Sequence, residues 1–318
     1  MVTTGGTSVR GDLPTDAEVH VAALDEAGVT RQMWTLYEPV HAVTYFHPRA
    51  RAAFEAVGLR GYWRGYFAGR AAPLGPVDAP AVTAAFFSFA PAMVARALPS
   101  VWRLATPEEA LRARLTGGVQ ALAEFTYELP ESHLVEAADL LEEAASRVEV
   151  AGRVLGAVNA ALPRGEYPLA RLWQAAATLR EHRGDGHVAA LVTTGLEPVE
   201  VVAWRCRVDQ SREFHQPARG WTDEQWTAAE QRLVDKGWLT DDKDPTPYAT
   251  ETFRVVEEAT DRAASGPWRA LGAERTARLR ELLEPIATRC RTIIPAKAPI
   301  GLPAQRSAGT DAAARAPR

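Results

Sequence analysis

Two short signals, each opening a run of apolar residues at helical spacing, constrain the fold more than any other feature of the chain. Thr106-Pro-Glu-Glu109 offers a threonine N-cap, proline at the first helical position and glutamate at the third, so side chain and backbone at a helix start satisfy each other's orphan groups. Thr222-Asp-Glu-Gln225 repeats the arrangement. Between them, Leu134, Leu141, Val148, Leu155 and Val158 make one apolar stripe, and Leu169, Leu172, Trp173, Ala176 and Leu179 make another. This periodicity predicts a mostly α protein with two helical halves, residues 15–130 and 131–294. Residues 1–14 and 295–318, polar or rich in Ala, Pro and Arg, have too little apolar content to pack and are expected to be disordered.

The halves read as related. Gly69 to Gly75, an apolar helix, Trp102 and the Thr106 cap follow the same order as Gly186 to Gly195, an apolar helix, Trp221 and the Thr222 cap. The helix from Thr222 closes in Lys236-Gly-Trp-Leu239, which resembles the end of a winged-helix recognition helix. The second half is therefore expected to keep a degenerate, MarR-like winged-helix outline with at most a small β-hairpin, as a scaffold for a homodimer. Earlier in that half, Gly184 and Gly186 predict a tight turn presenting Asp185 and His187, with Asp185 capping a helix that begins near His187.

Charge narrows the partners. A formal net charge of −4 gives no overall basic field for phosphates, and only three of the 36 basic residues, Lys236, Lys243 and Lys297, are lysines. On the helix at 222–236, Asp223, Glu224, Glu230 and Asp235 outnumber Arg232 and Lys236, which argues against nucleic acid as a partner. Two cysteines, Cys206 and Cys290, are too few for a disulfide framework, and no stretch approaches the length of a membrane span. A cytoplasmic protein with no membrane partner is expected.

Candidate chemistry gathers in two places. Glu38 and His41 stand three apart, with Tyr45 one turn further, so a helix begun near Pro39 puts them on one face. Tyr62, Arg64, Tyr66 and Arg70 follow within an aromatic-rich stretch and suit an organic ligand with an anionic group, since guanidinium binds carboxylate in a bidentate way. Asp185 and His187 supply a second carboxylate and imidazole. Acid/base catalysis would draw on His41, Glu38, His187 and Asp185, with Tyr45, Tyr62, Arg64, Tyr66 and Arg70 contacting substrate. No cofactor is expected; a single metal, if held, would take Glu38, His41 and His187. The plainer alternatives are a hydrogen-bonded core histidine at 41, solvated arginines and an aromatic core.

Glu38-Pro-Val-His-Ala-Val-Thr-Tyr-Phe46, Gly61-Tyr-Trp-Arg-Gly-Tyr-Phe-Ala-Gly-Arg-Ala-Ala-Pro-Leu-Gly75, Phe89 to Trp102 and Leu179-Arg-Glu-His-Arg-Gly-Asp-Gly-His-Val-Ala-Ala-Leu191 together resemble the SalK-like actinobacterial family of degenerate helix-turn-helix proteins, over most of residues 30–290. That resemblance implies a helix-turn-helix scaffold and, for some members, a setting near natural-product pathways, but no particular reaction. The combined expectation is a small-molecule-binding protein of specialised metabolism, an enzyme with an acid/base pocket between its halves. The alternatives are a ligand-responsive transcriptional regulator and a non-catalytic protein that sequesters a metabolite.

Overall fold

The computed structural model describes residues 16–298 and 300–302, with side chains from Glu26 onward. The expected N-terminal segment 1–14 and most of the expected tail lie outside the described residues. The helices are α1 (Asp16–Phe46), α2 (Pro48–Ala56), α3 (Tyr62–Ala71), α4 (Ala79–Phe86), α5 (Pro91–Ala95), α6 (Pro107–Thr126), α7 (Glu131–Ala145) and α8 (Val154–Ala160). They continue with α9 (Pro168–Val192), α10 (Pro198–Val208), α11 (Arg212–Arg219), α12 (Asp223–Asp235), α13 (Pro247–Ala263), α14 (Gly266–Leu271) and α15 (Ala273–Arg291). Among the described residues there is no sheet, only one isolated antiparallel bridge between Leu239 and Pro245. The protein is mostly α, as its periodicity predicts.

Both predicted capping boxes form. Thr106 accepts from the Glu109 amide at 3.2 Å while Glu109 accepts from the Thr106 amide at 2.8 Å, and Thr222 and Gln225 do the same at the start of α12. A third, unforeseen, uses Glu197 and Glu200 to open α10. After α12, Gly237 takes a left-handed φ of 73°, the Trp238 and Leu239 side chains turn inward, and Thr246 closes a narrow wing by donating to the Trp238 carbonyl. The order of two short helices, a tryptophan and a threonine-capped helix occurs twice, in α4–α6 and in α10–α12.

Three local expectations need correction. Pro39 does not begin a helix; it lies inside α1. Its missing N–H leaves the Thr35 carbonyl without its usual partner, and Arg291 from α15 donates to that oxygen at 2.5 Å. The glycines at 184 and 186 make no turn, because α9 runs unbroken from Pro168 to Val192 and packing outweighs the modest cost of helical glycine. The long stripe from Leu134 to Val158 is split: α7 ends at Ala145, and Leu155 belongs to α8 and to a different core.

Three apolar clusters share the interior. One joins α1, α6, α7, α9, α14 and α15 around Trp173 and Leu283. A second surrounds Phe67 and Phe89 in the α2–α6 region, and a third packs Trp204 and Trp226 of α10 and α12 against the end of α9. Helix α9 runs past all of them and carries the charged residues that face the gap where they meet.

Candidate functional site

That gap is a cleft of about 220 Å³. Helix α1 contributes Trp34 and Glu38, α3 contributes Tyr66 and Arg70, and the α4–α5 connection contributes Phe86 to Phe89. Opposite stand Val201, Val202 and Arg205 of α10, His215 and Arg219 of α11, and Glu257 and Thr260 of α13. The long side is α9, with Arg180, Glu181, Arg183, Gly184, His187, Val188 and Leu191. Ile300 and Gly301, from the expected tail, also border it, and the Lys297 ammonium lies 5.4 Å over the Phe214 ring. The two halves are tied here: Ala90 donates to the Arg219 carbonyl at 2.8 Å, and the Trp221 indole donates to Ser88 at 3.0 Å. Phe87, on the wall, holds a φ of 52° that a bulky residue seldom adopts.

Five arginines and three glutamates line the cleft, and Asp261 and Asp209 stand behind two of those arginines. Arg70 grips Glu181 in a bidentate pair at 2.9 and 2.8 Å, donates to the Tyr66 hydroxyl at 3.0 Å and lies 3.9 Å over the Phe86 ring. Arg180 reaches the same Glu181 at 2.7 Å and stands 3.8 Å from Glu38, which accepts from the Trp34 indole at 3.3 Å. Burial works against ionisation of Glu181, but the two guanidinium groups overcome it and hold the carboxyl far below its ordinary range. Deeper in the wall, Arg183 pairs with Asp261 at 2.7 Å, Arg31 reaches both Asp261 and Glu257, and Arg205 joins Glu257 to Asp209.

His187 borders this network. Its Nδ1 lies 3.0 Å from the Thr260 hydroxyl, which itself donates to the Val256 carbonyl at 2.8 Å. Nδ1 therefore carries the proton and Nε2 is left as an acceptor. Burial, followed by the nearby Arg205, pushes the imidazole down to about 4, so it is neutral at pH 7.

The expected site residues divide. Glu38, Tyr66, Arg70 and His187 meet in the cleft. His41, Tyr45 and Tyr62, with Tyr66 and Arg70 again, line a smaller neighbouring cavity between α1, α2, α3 and α6. The one-face reading of α1 holds locally: His41 Nδ1 is 3.9 Å from Glu38 and its ring meets Tyr45 edge-on at 5.1 Å. Arg64 reaches neither cavity; it is exposed and donates to the Arg60 carbonyl. Asp185 faces the other side of α9, where its Oδ2 accepts from the Gly156 amide at 2.7 Å and so caps α8, not a helix of its own. Among the described residues, no three His, Cys, Asp or Glu side chains are gathered to hold a metal ion, so Glu38, His41 and His187 do not form the set considered for one.

The sequence points to no role for Trp34, Arg180, Arg205 or Glu257, and for Arg183 only to pairing with a carboxylate, which Asp261 supplies. Arg180 and Arg183 stand in the charged run Arg180-Glu-His-Arg-Gly-Asp185 of α9, which marks the stretch but not which side chains face the cleft; Arg205 and Glu257, 52 positions apart, meet through an ion pair that no local pattern announces.

The winged-helix segment shows a different face. Arg232 is bound to Glu200 and Glu197, and Lys236 to Glu200, while Asp223, Glu224 and Asp235 are exposed on α12 and Asp241 and Asp242 on the wing. The cations of the would-be recognition helix are thus spent on α10.

A family model described as a helix-turn-helix family matches residues 30–295. No curated protein and no solved structure matches the chain. Among the described residues, no helix is long and apolar enough to cross a membrane.

Proposed function

Because the chain belongs to a helix-turn-helix family, we propose that its winged-helix segment has become one wall of a binding cleft, and that the protein binds a small anionic organic molecule there. The observation that carries this reading is the cleft itself: it lies where both halves meet, aromatic rings form one side, and arginines outnumber carboxylates along it. The unfavourable backbone at Phe87 supports it, since strain of that kind collects at ligand-binding positions. Likeness to SalK-like motifs favours a specialised metabolite as the ligand and a cytoplasmic setting.

Proton transfer receives less support than binding. General acid/base groups work best with a pKa near the operating pH. In the cleft, Glu38 and Glu181 are held low by arginine and histidine neighbours, and His187 is held neutral near 4. Its Nε2 and the Tyr66 hydroxyl serve better as hydrogen-bond partners that orient a ligand, which also fits a sequestering protein.

Gly184 supplies the test. It is helical, it borders the cleft, and an added Cβ would come no closer than 3.8 Å to Arg180 or Glu181, so a larger side chain would fill the cleft without straining the backbone. Benzoate, phenylacetate, cinnamate and indole-3-acetate, titrated against tryptophan emission, are expected to give saturable quenching through Trp34 in the wild type and none in Gly184→Phe. Equal responses from both proteins, or none from either, would sink the reading. The ligand-responsive regulator is the second reading, favoured by the family match alone. It requires salt-sensitive retardation of duplex DNA, whereas the acidic surface of α12 leads us to expect none at physiological ionic strength.

A further inference from the structure

The smaller cavity beside the cleft has about 30 Å³, room for roughly two waters or one compact ion. Its lining includes Arg51, Arg70 and Arg114 but no carboxylate. Three residues on that lining carry a buried polar atom with no hydrogen-bond partner, Thr44 Oγ1, Tyr45 Oη and Arg114 Nε, whereas His41 Nδ1 is turned to Glu38 at 3.9 Å. Buried hydroxyls and guanidinium N–H groups are rarely left unmatched, and three on the residues around one small space point to something that accepts hydrogen bonds.

Charge says what kind. Arg114 is 5% exposed and touches only neutral acceptors, the Gly69 carbonyl at 3.1 Å and Asn159 Oδ1 at 3.2 Å, with its guanidinium 5.4 Å over Trp173. Glu181, the carboxylate that acts on it, is already engaged by Arg70 and Arg180. Burial without a counter-ion pushes Arg114 down to about 10. His41, kept from protonation by burial, adds no charge at neutral pH.

We propose that this cavity binds one compact monovalent anionic group, a halide or a carboxylate, held by the hydroxyls of Thr44 and Tyr45 and the Nε–H of Arg114. The group has two possible sources. It is a free ion, or it is the carboxylate end of a molecule seated in the central cleft, because Tyr66 and Arg70 line both spaces. Only the second source rests on the reading of the cleft.

The experiment compares full-length protein in sodium gluconate with the same protein titrated with sodium bromide or sodium formate, following the melting midpoint. Crystals grown in bromide supply the anomalous signal. A saturable rise in midpoint, with a bromide peak within hydrogen-bond distance of Tyr45 Oη and Arg114 Nε, establishes the free-ion site. Tyr45→Phe and Thr44→Val are expected to weaken that binding by about tenfold each, the loss of one charge-assisted hydrogen bond. Both variants should melt no lower than wild type in gluconate, because each removes a hydroxyl that has no partner. If bromide and formate do nothing but phenylacetate binding is lost in both Gly184→Phe and Tyr45→Phe, the second source is established. A bromide peak with no saturable effect in solution is an adventitious ion only and overturns the proposal. So does the lack of any saturable bromide or formate effect together with phenylacetate binding that Tyr45→Phe and Thr44→Val leave unchanged, even where Gly184→Phe abolishes it and the cleft reading survives.

Discussion

Asp185 and His187 stand two apart on α9, which turns them about 200° from each other around the helix, and that angle separates their work. Asp185 caps α8 from a buried position, and burial raises its carboxyl from 3.8 to about 6. The folded protein therefore takes up this proton before the unfolded chain does, so the residue favours folding at low pH and that advantage is lost as pH rises from 3.8 to about 6. Asp185→Asn, which keeps an acceptor for Gly156, is expected to raise stability at pH 7 by about 1 kcal/mol and to leave arylcarboxylate binding unchanged. Histidine 187 has the opposite sign. It falls from 6.5 to about 4, as do His182 and His215, so unfolded chains protonate first and stability drains away as pH drops from 6.5 toward 4. Urea midpoints measured across that range should fall steeply in the wild type and less in His187→Gln. The sequence marked both residues as notable but misjudged their setting, because a glycine pair reads the same whether it bends the chain or lets helices approach.

Glycines show the same duality at the scale of elements. An added Cβ at Gly184 would meet only ordinary contacts, 3.8 Å from Arg180 and Glu181, and Gly184→Ala is expected to stabilise α9 by about 1 kcal/mol in thermal or urea unfolding. Gly117 is the reverse: an added Cβ would lie 2.6 Å from Ala50 Cα, where α6 crosses α2, and Gly117→Ala is expected to cost about 1–3 kcal/mol as the helices are forced apart. Local signals recovered much at this scale. The caps at Thr106 and Thr222, the helical periods and the short wing all depend on residues a few positions apart. Glu38, His41 and Tyr45 kept their relative placement even though their helix starts well before Pro39. What escaped detection were pairings such as Thr35 with Arg291, which mend a local defect from the far end of the chain.

Across the whole molecule, three apolar clusters enclose a centre built of Arg31, Arg183, Arg205, Glu257 and Asp261. Each of these residues alone reads as the solvent face of an amphipathic helix, and only the tertiary arrangement reveals that those faces point at one another. Arg183→Met, which leaves Asp261 with Arg31 alone and removes the stack on Trp34, is expected to lower stability by about 3 kcal/mol. Adding Asp261→Asn should recover part of that loss in a double-mutant cycle. The ionic centre also sets how the molecule answers to heat. The penalty for keeping charges from water shrinks on warming, while the gain from apolar burial levels off. A rise in temperature thus eases the strain at the middle of this protein while its three cores gain little, and the arginine-rich interior is less of a burden in a warm cell than in a cold one.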